Sequence, residues 1–187
     1  MNTSEQAAAA TVRATVERVI AAGVKPGSMA GASDEQIEDW AARQGVTVIP
    51  AAVREVMRMI GIKRLGWFRG SAFGVKVIED SDKRRAIALL SRLENTMTDS
   101  AGMLVLAEHQ GYQYYVIDGA DLGLPDPPVW FIDEDEIAEK ISPSVTDWFD
   151  SIAPDVEQDR ARLRLDRTLG SWISPGWAEY IDIDDLE

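Results

Sequence analysis

The hydrophobic periodicity of this chain changes along its length, and that change constrains the fold more than any other feature. Between Ser33 and Gly61, apolar residues recur every three or four positions. Ile37, Trp40 and Ala41 share one helical face, and Val53, Val56, Met57 and Ile60 share another. From Leu65 the pattern shifts. Trp67 to Ile78 is rich in aromatic and β-branched residues and is broken by Gly70 and Gly74, which predicts one or two strands with a bend or a tight turn. A short helix follows Asp80-Ser81-Asp82 and runs to about Asn95, with Ile87, Leu90 and Leu93 inward. Three strands come next in close order: Met103–Glu108, Tyr112–Asp118 and Val129–Ile132. The turn His109-Gln110-Gly111 predicts that the first two pair antiparallel. Ser144 then caps a helix whose inner face is Val145, Trp148, Phe149 and Ile152. Helix, helix, sheet, helix is the order of an α+β fold, a mainly antiparallel sheet flanked by helices, and not of alternating βαβ units. Trp40, Val56, Ile60, Val105, Tyr115, Ile117, Trp130 and Trp148 are the expected buried set.

Local signals mark the ends of these elements. Ser33 and Gln36 stand at capping-box spacing, and Asp34 and Glu35 meet the positive end of the helix dipole. Gly45 and Gly61 are helix stops, and Pro50 is placed to open the second helix. Outside residues 33–153 lie an arm and an extension. The arm, residues 1–32, reads as a helix over 3–22 capped by Thr3 and Gln6. Its apolar face is Val12, Val16, Val19 and Ile20, and a flexible linker rich in Gly, Pro, Ser and Ala follows up to Ala32. The arm either docks on the core or pairs with another chain, so a homo-oligomer is left open. In the extension, residues 154–187, Asp155–Arg167 reads as a helix with Ala161, Leu165 and Leu169 as a thin apolar stripe. The last stretch holds too many large rings for a disordered tail, which predicts packing on the core or on a partner.

Cysteine is absent, which excludes disulfides, thiolate zinc sites and cysteine nucleophiles. The single histidine, His109, cannot build a two-histidine zinc site. It follows Glu108 at a turn, and can be read as an oriented general base or as an exposed turn residue. The second reading is favoured because no GxSxG, Walker or HExxH motif accompanies it. Gly66, Gly70 and Gly74 lack the spacing of a phosphate loop and read as strand bends. Asp118, Asp121 and Asp126 read as turn residues. No cofactor is implied. No apolar run reaches the roughly 20 residues of a membrane span, and the N-terminus lacks the basic start and apolar block of a secretory signal, so the expectation is a cytoplasmic chain that binds no membrane.

The formal net charge is −13, and its distribution is uneven. Residues 1–132 hold 14 Lys+Arg against 16 Asp+Glu, whereas residues 133–187 hold 5 against 16. Such a surface repels phosphate backbones, which disfavours nucleic acid, and attracts basic proteins. The run Asp133, Glu134, Asp135 and Glu136 lacks the glycine and the alternate spacing of a calcium loop. It is left as a solvated loop or as a docking surface for a basic partner. Trp172, Trp177 and Tyr180, interleaved with acids that include Asp182, Asp184 and Asp185, complete the candidate partner-binding set, as aromatic anchors within a charged rim.

Three stretches together carry a family resemblance. SDEQIEDWAARQGVTVIPAAVREVMRMIG pairs an acid-started helix and its glycine with a hydrophobic-Pro opening of the next helix. MLVLAEHQGYQYYVIDGADLGLPDPPVWFIDEDE holds paired strands, an Asp-ended strand and a Pro-Val-aromatic strand. ISPSVTDWFDSI places Trp148 in a closing helix. In this order, over about residues 33–153, the chain resembles the SUKH superfamily. That superfamily includes yeast cell-wall-assembly regulators of SMI/KNR type and bacterial immunity proteins. Gln44 departs from the pattern, standing where the family usually has leucine. The resemblance implies a non-catalytic protein that binds a cognate bacterial toxin, such as a basic nuclease, and blocks it. A regulatory binding protein and an uncharacterised enzyme remain as the other readings.

Overall fold

The computed structural model describes residues 2–64, 66–134, 137–173 and 176–181. The fold is α+β. Helix α1 (Thr3–Ala21) is followed by a 3-10 turn at Pro26–Ser28 and strand β1 (Met29–Ala30). Helices α2 (Asp34–Arg43) and α3 (Ala51–Ile60) come next, then the two-residue strands β2 (Lys63–Arg64) and β3 (Ala72–Phe73). Helix α4 (Asp80–Leu90) precedes β4 (Leu104–His109), β5 (Gln113–Ile117), β6 (Val129–Asp133) and β7 (Ile137–Ser142). Helices α5 (Val145–Ser151), α6 (Val156–Thr168) and α7 (Gly176–Tyr180) close the described chain.

Strands β3 to β7 form one antiparallel sheet in sequential order, and β1 pairs with β2 in a separate two-stranded ribbon. Both faces of the large sheet are covered at its centre, so β4, β5 and β6 are mainly apolar on both sides. Leu104, Leu106, Ile117 and Val129 meet α1, α2, α3 and α5 on one face. Val105, Tyr114, Val116, Trp130 and Ile132 meet Ala86 and Leu90 of α4 on the other. All eight residues of the expected buried set lie below 9% exposure except Tyr115, which is partly buried. The β4–β5 turn has Gln110 and Gly111 at φ 51 and 80, the left-handed pair that a tight two-residue connection requires.

Several expectations need correction. The N-cap of α1 is Asn2, one residue before Thr3, and its reciprocal partner is Glu5 rather than Gln6. Residues 24–32 do not form a flexible linker. Lys25 donates its N–H to the Tyr180 carbonyl at 2.9 Å, and β1 is paired. Gly31 explains the choice of residue there, since a Cβ would fall 1.5 Å from the Arg58 carbonyl oxygen. The glycine lets two backbones touch rather than giving one freedom. Trp67–Ile78 contributes only the two strand residues of β3, because Phe68, Gly70 and Gly74 have positive φ and turn the chain. Asp80-Ser81-Asp82 belong to the first turn of α4, where the Asp82 carboxylate accepts the Glu79 N–H at 2.8 Å, and the helix stops at Leu90 rather than near Asn95. Strand β7 begins one residue after the acidic run, where the sequence pattern predicts no strand.

The arm packs on the core through Val12, Val16 and Val19. It is also held by Arg13 on Glu55 at 2.7 Å, and by Thr15 and Arg18 on Asp150. Burial raises the Asp150 carboxyl, but the Thr15 and Arg18 hydrogen bonds outweigh it and leave the group below its ordinary range.

Candidate functional site

The most constrained backbone in the molecule lies between β2 and β3. The Arg64 guanidinium donates to the Phe68 carbonyl at 2.5 Å, holding Phe68 at φ 52, a left-handed conformation that costs a bulky residue energy. The Phe68 ring offsets part of that cost by stacking on Phe73, with centroids 4.1 Å apart, and by tilting against Trp148. Gly66, at φ 98, brings the loop against the extension, where a Cβ would sit 2.7 Å from both Pro154 and Tyr180.

Arg69 ties the loop to the extension. Its guanidinium donates to both Asp159 oxygens (3.2 and 2.5 Å) and to the Tyr180 hydroxyl (3.0 Å). It also lies over the rings of Trp177 (4.7 Å) and Tyr180 (5.1 Å). This is a bidentate ion pair combined with two cation–π contacts. Tyr180 is buried, and burial pushes its phenol up to about 12. Beside this latch a cleft of about 370 Å³ opens, lined by Phe68, Ser71, Tyr115, Pro154, Asp155 and Gln158 among others.

From the cleft the outward face of α6 runs through Gln158, Ala161, Leu165 and Leu169, about 16 Å along the helix axis. Periodicity identifies this stripe but not the direction in which it faces. Val156 and Leu163 are the buried residues of α6, and Leu165 and Leu169 are 57% and 68% exposed. Trp172, just beyond the helix, is 79% exposed. Single exposed hydrophobes are ordinary, but here two leucines and a tryptophan are exposed within eight residues. Arg162 and Arg164 on α6 are exposed as well.

The described sequence-derived partner-binding residues differ in their surroundings. Trp172 faces solvent, Trp177 is half-buried against Arg69 and Tyr180, and Tyr180 belongs to the core. Asp133 is buried at the end of β6 and accepts a hydrogen bond from Gln113 at 2.6 Å, whereas Glu134 is exposed. Asp135, Glu136, Asp182, Asp184 and Asp185 lie outside the described residues. Part of the C-terminal acidity is engaged within the chain: Asp150 holds α1, Asp155 caps α6 and Asp159 holds Arg69. Sequence reasoning does not find the Arg69 latch. Its only sequence signals are an arginine inside an aromatic, glycine-rich loop and an acid one turn into α6.

His109 contacts Ser71 at 3.2 Å through Nδ1, a pairing that nothing in the spacing of the two residues predicts. No described carboxylate is hydrogen bonded to the ring, and the Glu108 carboxylate accepts the Gly111 N–H at 2.6 Å instead. The relay that would activate Ser71 thus lacks its orienting acid. Among the described residues no group of three His, Asp or Glu side chains is placed to hold a metal ion, and no helix is long and apolar enough to cross a membrane. No family model matches the chain, and neither curated proteins nor solved structures give a match.

Proposed function

We propose that this chain is a non-catalytic protein-binding module, and that its partner is a bacterial toxin domain which it neutralises by binding. The observation that carries the binding role is the exposure of Leu165, Leu169 and Trp172. An exposed tryptophan is the chemistry of an interface anchor, and the cleft gives room for a side chain of the partner. The toxin identity rests on the SUKH-like order of motifs over residues 33–153. The net charge of −13 speeds encounter with a basic partner. Charge therefore governs association, and Leu165, Leu169 and Trp172 govern residence time.

The test is co-expression with the product of a neighbouring toxin-like gene, followed by binding kinetics at low and high salt. Trp172→Ala is expected to speed dissociation by about 30-fold, the equivalent of about 2 kcal/mol, while leaving stability within about 0.5 kcal/mol. Failure to form a complex defeats the immunity reading. A complex whose dissociation ignores both Trp172→Ala and Leu169→Asp defeats the assignment of the face.

A further inference from the structure

Strand β7 is the outer strand of the five-stranded sheet and pairs only with β6. Among the described residues, no backbone group outside β6 bonds to it, so its outer row of N–H and C=O groups faces solvent. Its side chains are exposed as well: Ile137 at 39% and Ile141 at 41%, with Glu139 and Lys140 between them. The opposite edge, β3, is two residues long and offers no comparable template. Folded sheets blunt a free edge with charged side chains, proline, a bulge or a covering element, and β7 carries the charges, Glu139 and Lys140. The β7 strand has no proline, and its register shift falls at the end facing Val129 and Trp130. Ile137 to Lys140 remain a regular ladder, with Ile137 opposite Asp133 and Lys140 opposite Trp130.

The edge discriminates against its own copy. Two copies pairing antiparallel about a two-fold axis must set one residue opposite itself. Centring on Glu139 or on Lys140 sets like charges face to face. Centring on Ala138 avoids this but overlaps only Ile137 to Glu139, because the strand begins at Ile137. That register gives a self-pair fewer main-chain bonds than a longer partner strand can make along β7. The overall charge of −13 adds repulsion between copies.

The charges also select what can pair. The charged residues of β7 are Glu139 and Lys140, and exposed Glu134 precedes the strand. Glu139 and Ile137 lie on one face of the sheet, and Lys140 lies on the other, 5.4 Å over the Trp130 ring. We infer that β7 is a strand-addition site for an extended, basic segment of a partner protein, with a lysine or arginine opposite Glu139 and an apolar residue opposite Ile137. Main-chain hydrogen bonds would supply the attachment and the Glu139 face the selectivity. The site is separate from the α6 face and stands without it.

The test uses the full chain and two capped peptides, Val-Thr-Lys-Thr-Val-Thr-Lys and its counterpart with glutamate for each lysine. Amide hydrogen exchange of β7 is followed by NMR at saturating peptide. The lysine peptide should slow the outward amides of Ile137 to Lys140 by about tenfold or more and leave β5 unchanged, while the glutamate peptide has little effect. Glu139→Lys, on an exposed position, should reverse the preference. Trp172→Ala should leave the pattern intact, which separates this outcome from that of the α6 face. Unchanged exchange with the lysine peptide overturns the inference. So does equal slowing by both peptides that ignores Glu139→Lys. So does dimerisation that protects β7 with no peptide present.

Discussion

Replacing Gln44 with methionine should destabilise the fold by about 1–3 kcal/mol. Gln44 is 1% exposed at the end of α2. Its Oε1 accepts the Val105 N–H at 2.9 Å, and its Nε2 donates to the Val105 carbonyl at 3.3 Å. The carboxamide thus acts as a stand-in strand residue where the β4–β5 register shifts between Val105 and Ala107. Methionine keeps the length of the side chain but cannot donate and accepts only weakly. Two buried backbone groups would lose their partner at about 1–3 kcal/mol each, with the long 3.3 Å bond near the lower end. Exchanging an amide for a thioether in an apolar site returns about 1 kcal/mol. The bond from Lys83 Nζ to the Gln44 carbonyl, 2.7 Å, involves backbone and survives the change. Urea unfolding measures the difference, and exchange at the Val105 amide locates it. A methionine variant as stable as the parent, with an unchanged denaturant slope, would refute the argument that the carboxamide completes β4.

Trp148→Ala should cost about 3–5 kcal/mol by denaturant titration. Its Nε1 has no hydrogen-bond partner, so the loss is one of packing against Phe68 and Tyr115. Tyr180 titrates near 10 when unfolded and is held up to about 12 in the fold, so its neutral form is the stabilising one. That stability is intact below pH 10 and is lost as pH rises from 10 towards 12. Tyr180→Phe should flatten this slope in pH-dependent unfolding. Finally, His109→Ala should lose the Ser71 hydrogen bond and the edge-on Tyr112 ring contact and retain neutralisation of the partner in a co-expression survival assay. Loss of neutralisation by a folded, partner-binding His109→Ala protein would overturn the non-catalytic reading.

The parts of the fold legible in sequence are those in which local chemistry and burial agree. Ser33 and Gln36 cap α2 as their spacing predicts, and Ser144 caps α5. The hairpin at Gln110-Gly111 is a local event that needs only left-handed backbone. The acidic run hides β7, because an edge strand leaves Ile137, Glu139 and Lys140 in solvent and shows no buried alternation. Its strand character comes from the β6 backbone alone.

The candidate site is legible in kind but not in place. An aromatic, acidic C-terminal third is visible in the residues, yet Tyr180 turns inward and Trp172 outward because one arginine, Arg69, lies under the ring of the first and not of the second. Residue types and their spacing by themselves determine the order of α2 to α5 with β4 to β6, the α+β class and the lack of a cysteine or two-histidine centre. Which apolar stripe of α6 faces the core, why Gly31 is glycine and why Gln44 is not leucine were decided by tertiary structure. Each depends on an atom distant in sequence: the Asp159 partner Arg69, the Arg58 carbonyl and the Val105 backbone. Local propensity acts over a few residues, whereas burial and hydrogen-bond satisfaction depend on which segments the folded chain brings together.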